Sequence, residues 1–327
     1  MIEEDIRKRS VFNTYLELVQ QDSKIFFPDE SKFIFIECPG CASLEHKKQF
    51  KKWGFNYVLC CNCKTLFVNP RPRFDSLLSF YKESPSTNFW VNDFFKPIAE
   101  IRRDKIFKKR AEYINTIFPE LQNSIIGDIG AGFGLFLEEL AKIWPSAKLI
   151  AIEPSIEMAE ICKSKRLSVI PDALENVRGC DNRFDLLACF ELSEHIHSPS
   201  SFLKKIWELL KPGGYLYLTT LNGEGFDIQV LWENSKSIAP PHHLNFFNVR
   251  SIEILLRKNG FEVVNVDTPG ELDWDIVEGM FLKEGIDIGR FWSLLVDKDT
   301  AIKQRLQDWI AKSKLSSHMR VVAKKNI

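Results

Sequence analysis

The sequence lacks a net charge, a long apolar run and any internal repeat. Lysine and arginine together number 44 among the 327 residues, and aspartate and glutamate also number 44. A chain without excess positive charge has no overall field that attracts nucleic acid or an anionic membrane, so we expect neither as a partner. No apolar run approaches the ~20 residues that a membrane-spanning helix requires. The absence of repeats and low-complexity tracts argues against solenoid and disordered classes.

The N-terminal segment 1–5 is charged and carries no apolar signal sequence, which predicts a cytoplasmic protein. A hydrophobic fraction of 45% is enough for a sizeable core. The length exceeds that of most single domains, so we expect at least two structural units. Nothing in the sequence indicates an oligomeric state.

The most informative segment, 125–134, is an apolar strand followed by an acidic residue and a glycine-rich turn. Gly130, Gly132 and Gly134 allow the backbone to turn with positive φ and leave amide N–H groups open to a ligand. Asp128 lies beside this turn, where it would repel a pyrophosphate but suit a cationic amino acid group. The segment therefore predicts a cofactor-binding loop.

A second predicted strand, 148–152, ends at Glu153, where a carboxylate can bind both hydroxyls of a ribose. The glycine spacing is G-x-G-x-G, whereas dinucleotide enzymes carry G-x-G-x-x-G. Together, the spacing and the two carboxylates favour S-adenosylmethionine as the cofactor.

Strand-like and helix-like segments alternate beyond the glycine loop, which predicts a mostly parallel sheet with right-handed crossovers. A helix capped by Ser200 or Ser201 and ended by residues 211–214 is expected, and so is a helix that begins at Asn248 and ends at Gly260. We expect the last strand to be antiparallel and to lie between the two strands that precede it in the chain. The predicted strands are 125–128, 148–152, 167–170, 184–190, 215–220, 261–266 and 319–323.

Cysteines are concentrated in one short region, where two C-x-x-C pairs are separated by eighteen residues. This spacing predicts a tetrahedral zinc site with no open position, hence a structural metal. Disulfides are the weaker alternative. Ala42 and Lys64 stand where such turns often carry glycine, so both would have to adopt a left-handed backbone. Cys61 gives a poorer ligand spacing. The predicted ligands are Cys38, Cys41, Cys60 and Cys63.

At the glycine loop and the strand ends that follow it, the chain resembles the class I S-adenosylmethionine-dependent methyltransferases. The resemblance implies an α/β, Rossmann-like, seven-stranded sheet with an antiparallel last strand. Segment 191–197 is similar to the family's E-H segment beside the methyl donor. The positions at which the resemblance implies cofactor contacts are Asp128, Gly130, Ala131, Gly132, Gly134, Glu153, Pro154, Asp172, Ala173, Phe190 and Glu191.

Three further segments, 67–72, 240–247 and 315–325, resemble a narrower methyltransferase group with an N-terminal zinc ribbon. That group includes C-methyltransferases that act on nucleotide-linked deoxysugars. The resemblance implies a small acceptor, either a nucleotide-linked sugar or a carbohydrate precursor. Two alternatives stay open: an RNA methyltransferase that uses the ribbon to hold RNA, and a non-catalytic zinc-ribbon binding module.

Methyl transfer requires in-line positioning, exclusion of water and, for a C–H or O–H acceptor, removal of a proton. His242 and His243 are the first candidates for this base because they follow a proline pair at the ligand-binding edge of the sheet. Glu194 and His195 are the second. A weaker interpretation makes Glu191 or His197 the base.

Basic residues recur over 96–110, where a solvated helix face is the default interpretation. The sharper hypothesis is that Arg102 or Arg103 binds a substrate phosphate. The predicted organisation is a helical segment at 1–30, a zinc ribbon at 31–72, a helical connector at 73–118, and a cofactor-binding domain at 119–327 with a helical insertion at 271–315 that covers the site.

Overall fold

A computed structural model describes residues 3–326 of the chain. None of the helices in this range is long and apolar enough to cross a membrane. The strands are β1 (His46–Lys52), β2 (Phe55–Cys60), β3 (Leu66–Val68), β4 (Ile125–Ile129), β5 (Lys148–Ile152), β6 (Ser168–Ile170), β7 (Phe184–Phe190), β8 (Leu210–Leu221), β9 (Asn245–Phe246), β10 (Phe261–Asp267) and β11 (His318–Lys325).

The helices fall into an N-terminal pair, a connector, the helices of the large sheet and an insertion. They are α1 (Glu3–Ile6), α2 (Arg9–Phe26), α3 (Phe74–Glu83), α4 (Pro85–Phe89), α5 (Ala99–Arg102), α6 (Lys108–Ile117), α7 (Leu135–Ile143), α8 (Ile156–Ser164), α9 (Pro199–Leu209), α10 (Phe226–Leu231), α11 (Val249–Lys258), α12 (Asp273–Glu284), α13 (Arg290–Val296) and α14 (Thr300–Lys312). Two π-helical stretches, Trp90–Phe95 and Arg103–Phe107, interrupt the connector.

The large sheet has seven strands in the order β10-β11-β8-β7-β4-β5-β6. Strands β4 to β8 pair in parallel, and β11 is antiparallel to both of its neighbours. This confirms the predicted fold class and the position of the last strand. Helices pack on both faces of this sheet, because the connections between its parallel strands cross over the sheet and contain helices. One core layer centres on α9 and α11, the other on α6 and α7.

Two predicted boundaries around β8 are wrong. The helix α9 begins at Pro199, after Ser198, so neither Ser200 nor Ser201 is its cap. The strand β8 begins at Leu210 and not at Tyr215, so the residues predicted to end the helix belong to the strand instead. The α11 cap is confirmed: Asn248 and Ser251 form a reciprocal capping box.

A second, four-stranded sheet runs in the order β1-β2-β3-β9. Its first hairpin turns through Trp53 and Gly54, which both have positive φ, the geometry that two-residue hairpins favour. Its last strand, β9, follows the histidine pair and comes from the cofactor-binding part of the chain. The ribbon therefore shares a sheet with the larger domain and is not a separately docked module.

The N-terminal helices meet both the connector and the insertion. Phe12, Tyr15 and Val19 of α2 pack against Phe94 and Ile98. The backbone N–H of Glu3 donates to the Asp275 carboxylate at the start of α12, over 2.7 Å. The insertion in turn packs on α10. Through these contacts, the N-terminal helices and the insertion both lie beside the edge of the large sheet where the site is found.

Candidate active site

The glycine turn after β4 has the backbone that a cofactor loop needs. Gly130, Gly132 and Gly134 have φ of 69°, 54° and 70°, where side chains are strained. A Cβ on Gly132 would meet nothing within 4 Å, so this residue faces open space that a ligand can enter. A Cβ on Gly134 would come within 2.6 Å of Leu167, so this glycine allows close packing instead.

Asp128 lies at the end of β4, is 2% exposed, and its Oδ1 has no hydrogen-bond partner within the described chain. Burial raises the pKa of this carboxyl well above its usual range, and the nearby Arg110 charge opposes that shift. An enclosed carboxylate oxygen without a partner is costly, so it fits a ligand that brings a donor. The amino group of S-adenosylmethionine is such a donor.

The carboxylate of Glu153, at the end of β5, faces the glycine turn. Its Oε2 accepts from the N–H of Gly132 over 2.7 Å, and its Oε1 accepts from the N–H of Ser155 over 2.8 Å. Burial raises its pKa. Each carboxylate oxygen can accept a second hydrogen bond, so ribose hydroxyls can join these amides. Pro154 follows directly, and Asp172 lies further out, where it accepts from the N–H of Ala173.

Phe190 and Glu191 end β7 and lie against a cation from the connector. The Arg110 guanidinium stacks over the Phe190 ring at 4.5 Å and donates to Glu191 Oε1 over 3.1 Å. Thr219 and His318 also contact that oxygen, at 2.6 and 3.2 Å. Burial favours the protonated carboxyl, but the His318 and Arg110 charges outweigh it and hold the pKa of Glu191 below its usual range.

Glu194, His195 and His243 meet although they come from two separate loops. Their carboxylate and imidazole atoms lie within 4.8 Å of one another. Thr220 donates to Glu194 over 2.8 Å, and Ser237 supplies a carbonyl to the His243 Nδ1. Since Nδ1 then carries the proton, His243 Nε2 is left as an acceptor.

Within this cluster, the pKa of the carboxyl group and the pKa of the imidazoles are shifted in opposite directions. Burial, reinforced by the charge of Glu191, raises the pKa of Glu194 to about 8. Burial lowers the pKa of His195 and of His243, so both imidazoles are neutral at pH 7. A carboxyl that titrates near neutrality beside two neutral imidazoles can accept and pass on a proton.

His242 is not a member of this cluster and lies in an aromatic box, with its ring centroid 6.2 Å from that of His195. The ring centroids of Tyr15, Phe80 and Tyr81 lie 5.8, 4.9 and 5.5 Å from that of His242. Burial lowers its pKa to about 3, and its Nε2 has no partner in the described residues. Such an imidazole is a poor base, so only His243 of the predicted histidine pair is placed to act with Glu194, whose raised pKa makes it the better candidate for the base.

The two candidate arginines also separate. Arg103 donates to the carboxylates of Glu100, Glu138 and Glu139, so its guanidinium is occupied in an ion-pair network. These ion pairs contradict the prediction that Arg103 binds a substrate phosphate. Arg102 stacks on Phe95 at 4.7 Å, and its enclosed Nε has no partner in residues 3–326. Burial lowers its pKa to about 10, so it still carries its charge at neutral pH.

The four predicted zinc ligands form one cluster. The Sγ–Sγ distance is 3.4 Å for Cys38–Cys63 and 3.6 Å for Cys41–Cys60. A tetrahedron with Zn–S bonds of about 2.3 Å has sulfur atoms about 3.8 Å apart, so the thiols fit zinc and leave no open position. Ala42 and Lys64 have φ of 62° and 63°, the left-handed turns that the spacing requires. Cys61 is not in the cluster.

Sequence reasoning missed several residues that complete the site. Arg110 belongs to the basic segment 96–110, for which a solvated face was the default interpretation. Thr219 lies on β8, next to β7 in the sheet, and His318 lies on β11, next to β8. Arg71 and Asn245 join the ribbon to the loops that carry Glu194 and His243. Neither residue belongs to a spaced motif, and the sequence signal for them is limited to the resemblance of segments 67–72 and 240–247.

The sequence profile of a family described as "Methyltransferase domain" matches residues 99–266, which is 168 of the 327 residues, or about half. The match runs from the connector to β10 and includes the glycine loop, the Glu194–His195 loop and the histidine pair. It leaves out the ribbon and the insertion.

Curated relatives match at lower coverage. The ubiquinone biosynthesis O-methyltransferase of Proteus mirabilis is 28% identical over 148 residues, covering 43% of this chain and 58% of its own length. The mitochondrial protein of the same name from Saccharomyces cerevisiae is 29% identical over 167 residues, covering 46% and 52%. The chain thus spans less than two thirds of the length of either relative.

A solved structure described as an S-adenosylmethionine-dependent methyltransferase from Thermotoga maritima is also similar. It shares 19% identity with a TM-score of 0.49, and the alignment covers 72% of this chain and 97% of that one.

Proposed function

Because the chain belongs to the methyltransferase-domain family, we propose that it transfers the methyl group of S-adenosylmethionine to a small acceptor that carries an anionic group. We infer the anionic group from Arg102, a charged side chain whose enclosed Nε has no hydrogen-bond partner in the described residues. Arg7 and Arg110 lie close enough to disfavour its charged form further. Arg110 and Arg7 already have carboxylate partners in Glu191 and Glu3, so Arg102 is the one of these three cations whose burial an incoming anion would offset.

The donor side rests on backbone and carboxylates. Asp128 would receive the amino group, the amides of Gly130 to Gly134 would face the methionine portion, and Glu153 would hold the ribose. Asp172, Ala173 and Phe190 would lie on the side of the cofactor's adenine. When bound, S-adenosylmethionine supplies an already activated methyl group, so the protein's task is positioning and proton removal.

The acceptor side rests on Glu194, His195 and His243. With its pKa near neutrality, Glu194 is the group best matched to accept a proton as the acceptor attacks the methyl group. His243, fixed by Ser237, orients the acceptor through its free Nε2. The curated relatives are named as O-methyltransferases, which supports oxygen as the acceptor atom.

The substrate class we propose is a nucleotide-linked sugar or a related phosphorylated carbohydrate. Its phosphate would contact Arg102 in the closed interior. A phosphate oxygen bonded to a guanidinium forms a charge-assisted contact, which is stronger than a neutral one.

RNA methylation is the second candidate, and the exposed lysines of β1 favour it. Lys47, Lys48 and Lys51 line this edge strand of the ribbon. Lysines on an edge strand also prevent pairing with another chain, which explains them without RNA. The cysteine knuckles themselves face inward, since Cys63 O accepts from Asn248 and Gly40 packs on Ser251. The small acceptor therefore stays first.

The test is methyl incorporation from labelled S-adenosylmethionine into a panel of nucleotide-linked sugars, sugar phosphates and phenolic carboxylates, with mixed cellular RNA as a separate arm. We expect incorporation into an anionic small molecule. For that acceptor, Arg102→Met should raise KM by roughly 10- to 100-fold, because a charge-assisted hydrogen bond is lost. The exposed Lys108→Met in the same connector is the matched control and should leave KM unchanged. Salt-sensitive incorporation into RNA and none into the panel would put RNA first.

A further inference from the structure

Arg71 lies at the junction of the ribbon with both acceptor-side loops. Its side chain is 0% exposed. The guanidinium donates to Val68 O over 3.2 Å, to His197 O over 3.0 Å and to Asn245 Oδ1 over 3.0 Å. One planar fork thus holds the ribbon, the loop after β7 and the first residue of β9 together.

Asn245 extends this junction. Its Nδ2 donates to Ile196 O over 2.7 Å and to Ser193 O over 3.3 Å, and the N–H groups of Leu244 and Asn245 both donate to Glu194 O. The ribbon reaches the same loop through Val68 N–H, which donates to Leu244 O. Glu194 and His243 are therefore positioned by bonds that run through Arg71 and its partners.

All three acceptors of the Arg71 guanidinium are neutral oxygens, so the hydrogen bonds supply no counter-charge. Burial lowers the pKa of Arg71 to about 9, so the guanidinium stays charged at pH 7, and a charged donor makes stronger hydrogen bonds than a neutral one. Without it, these buried oxygens would lose their donor.

We propose that Arg71 is a positioning residue that holds loops 193–197 and 242–245 in register with the ribbon. The proposal rests on the proposed function only in calling these loops the acceptor side. It predicts that the loops depend on the three hydrogen bonds of the guanidinium fork, which a positive charge alone does not replace.

The experiment measures amide hydrogen exchange in the full-length, zinc-loaded protein, without any acceptor. In Arg71→Met the fork is lost, so amides of 242–246 and 193–197 should exchange roughly tenfold faster. Arg71→Lys keeps the charge but not the planar fork, so exchange of the same amides should also rise.

Arg73→Met is the matched control, because Arg73 is an exposed arginine two residues away, and it should leave exchange unchanged. Asn245→Ala removes the acceptor from the opposite side and decides the matter if the Arg71 variants do not fold. Unchanged loop exchange in Arg71→Met, or in Asn245→Ala, overturns the positioning role. A rise spread evenly over 125–153 as well indicates general destabilisation and overturns it too. Because no step measures methyl transfer, failure here is distinct from failure of the proposed function.

Discussion

The donor end and the acceptor end of the site are built in different ways. The donor end comes from one continuous stretch, 125–153, in which the strand ends and the glycine turn place Asp128 and Glu153 by local geometry. The acceptor end is assembled from the loop after β7, the loop before β9 and the ribbon, joined by hydrogen bonds such as Arg71–Asn245 across 174 residues. The donor end should therefore survive changes that disorganise the acceptor end.

Removal of the metal should produce the largest difference between the two ends of the site. We expect one zinc per chain, and the double change Cys38→Ser with Cys63→Ser should abolish it, because a structural site of four thiolates contributes about 10–16 kcal/mol of binding energy. The ribbon strands and β9 should lose protection from hydrogen exchange, while S-adenosylmethionine affinity changes little. Elemental analysis, exchange and calorimetry measure these three quantities.

Cys61→Ser is the control for metal removal, since Cys61 adjoins a ligand but is outside the cluster. It should keep a full zinc content. Zinc well below one per chain in the wild type, or zinc retained in the double variant, would contradict the assignment. A large loss of cofactor affinity in the double variant would show that the two ends are not independent.

Replacing the proposed base should leave the donor end intact and nearly abolish turnover. A base must be ionised, and the pKa of Glu194 is raised to about 8. Turnover of an acceptor found in the panel should therefore rise with pH through about 8 and level off above it. Glu194→Gln should lower kcat by roughly 100-fold or more and remove this rise, because general base catalysis contributes about 10²- to 10⁴-fold.

His242→Gln serves as the comparison for that variant, because its neighbour His243 is in the cluster and His242 is not. It should keep the rise in kcat with pH even if its packing in the aromatic box lowers the amount of folded protein. A pH profile that is unchanged in Glu194→Gln would show that another group accepts the proton.

The same contrast explains what sequence could and could not predict. Local spacing carries the glycine loop, the strand ends and the C-x-x-C knuckles, because each motif is defined by residues a few positions apart. β9 is two residues long, too short for any periodic pattern. Arg110 looked like one more cation on a solvated helix face, since its partners Glu191 and Thr219 lie about 80 residues or more away.

Adjacent residues also diverge in ways that composition cannot show. The histidine pair was predicted to act together, yet one imidazole packs among aromatic rings and the other meets Glu194. Neighbouring side chains leave the backbone in different directions, so a shared position in sequence does not give a shared environment. The same holds for Arg102 and Arg103: one has an enclosed Nε without a partner in the described residues, and the other is held by three carboxylates.

The smallest expected effect tests the donor end alone. Glu153→Ala removes the proposed ribose partner and the acceptor for the Gly132 and Ser155 amides. Losing a buried hydrogen-bond partner should weaken S-adenosylmethionine binding by about 1–3 kcal/mol in calorimetry. Glu157→Ala, an exposed glutamate four residues on, is the control and should bind like the wild type. Because the hydrogen-bond partners that the described residues offer Glu153 are Gly132 and Ser155, both outside the ribbon, zinc content and exchange in 242–246 should stay unchanged. If those loops lose protection in Glu153→Ala, the two ends are coupled through the sheet, and the donor end is not the self-contained unit that its local geometry indicates.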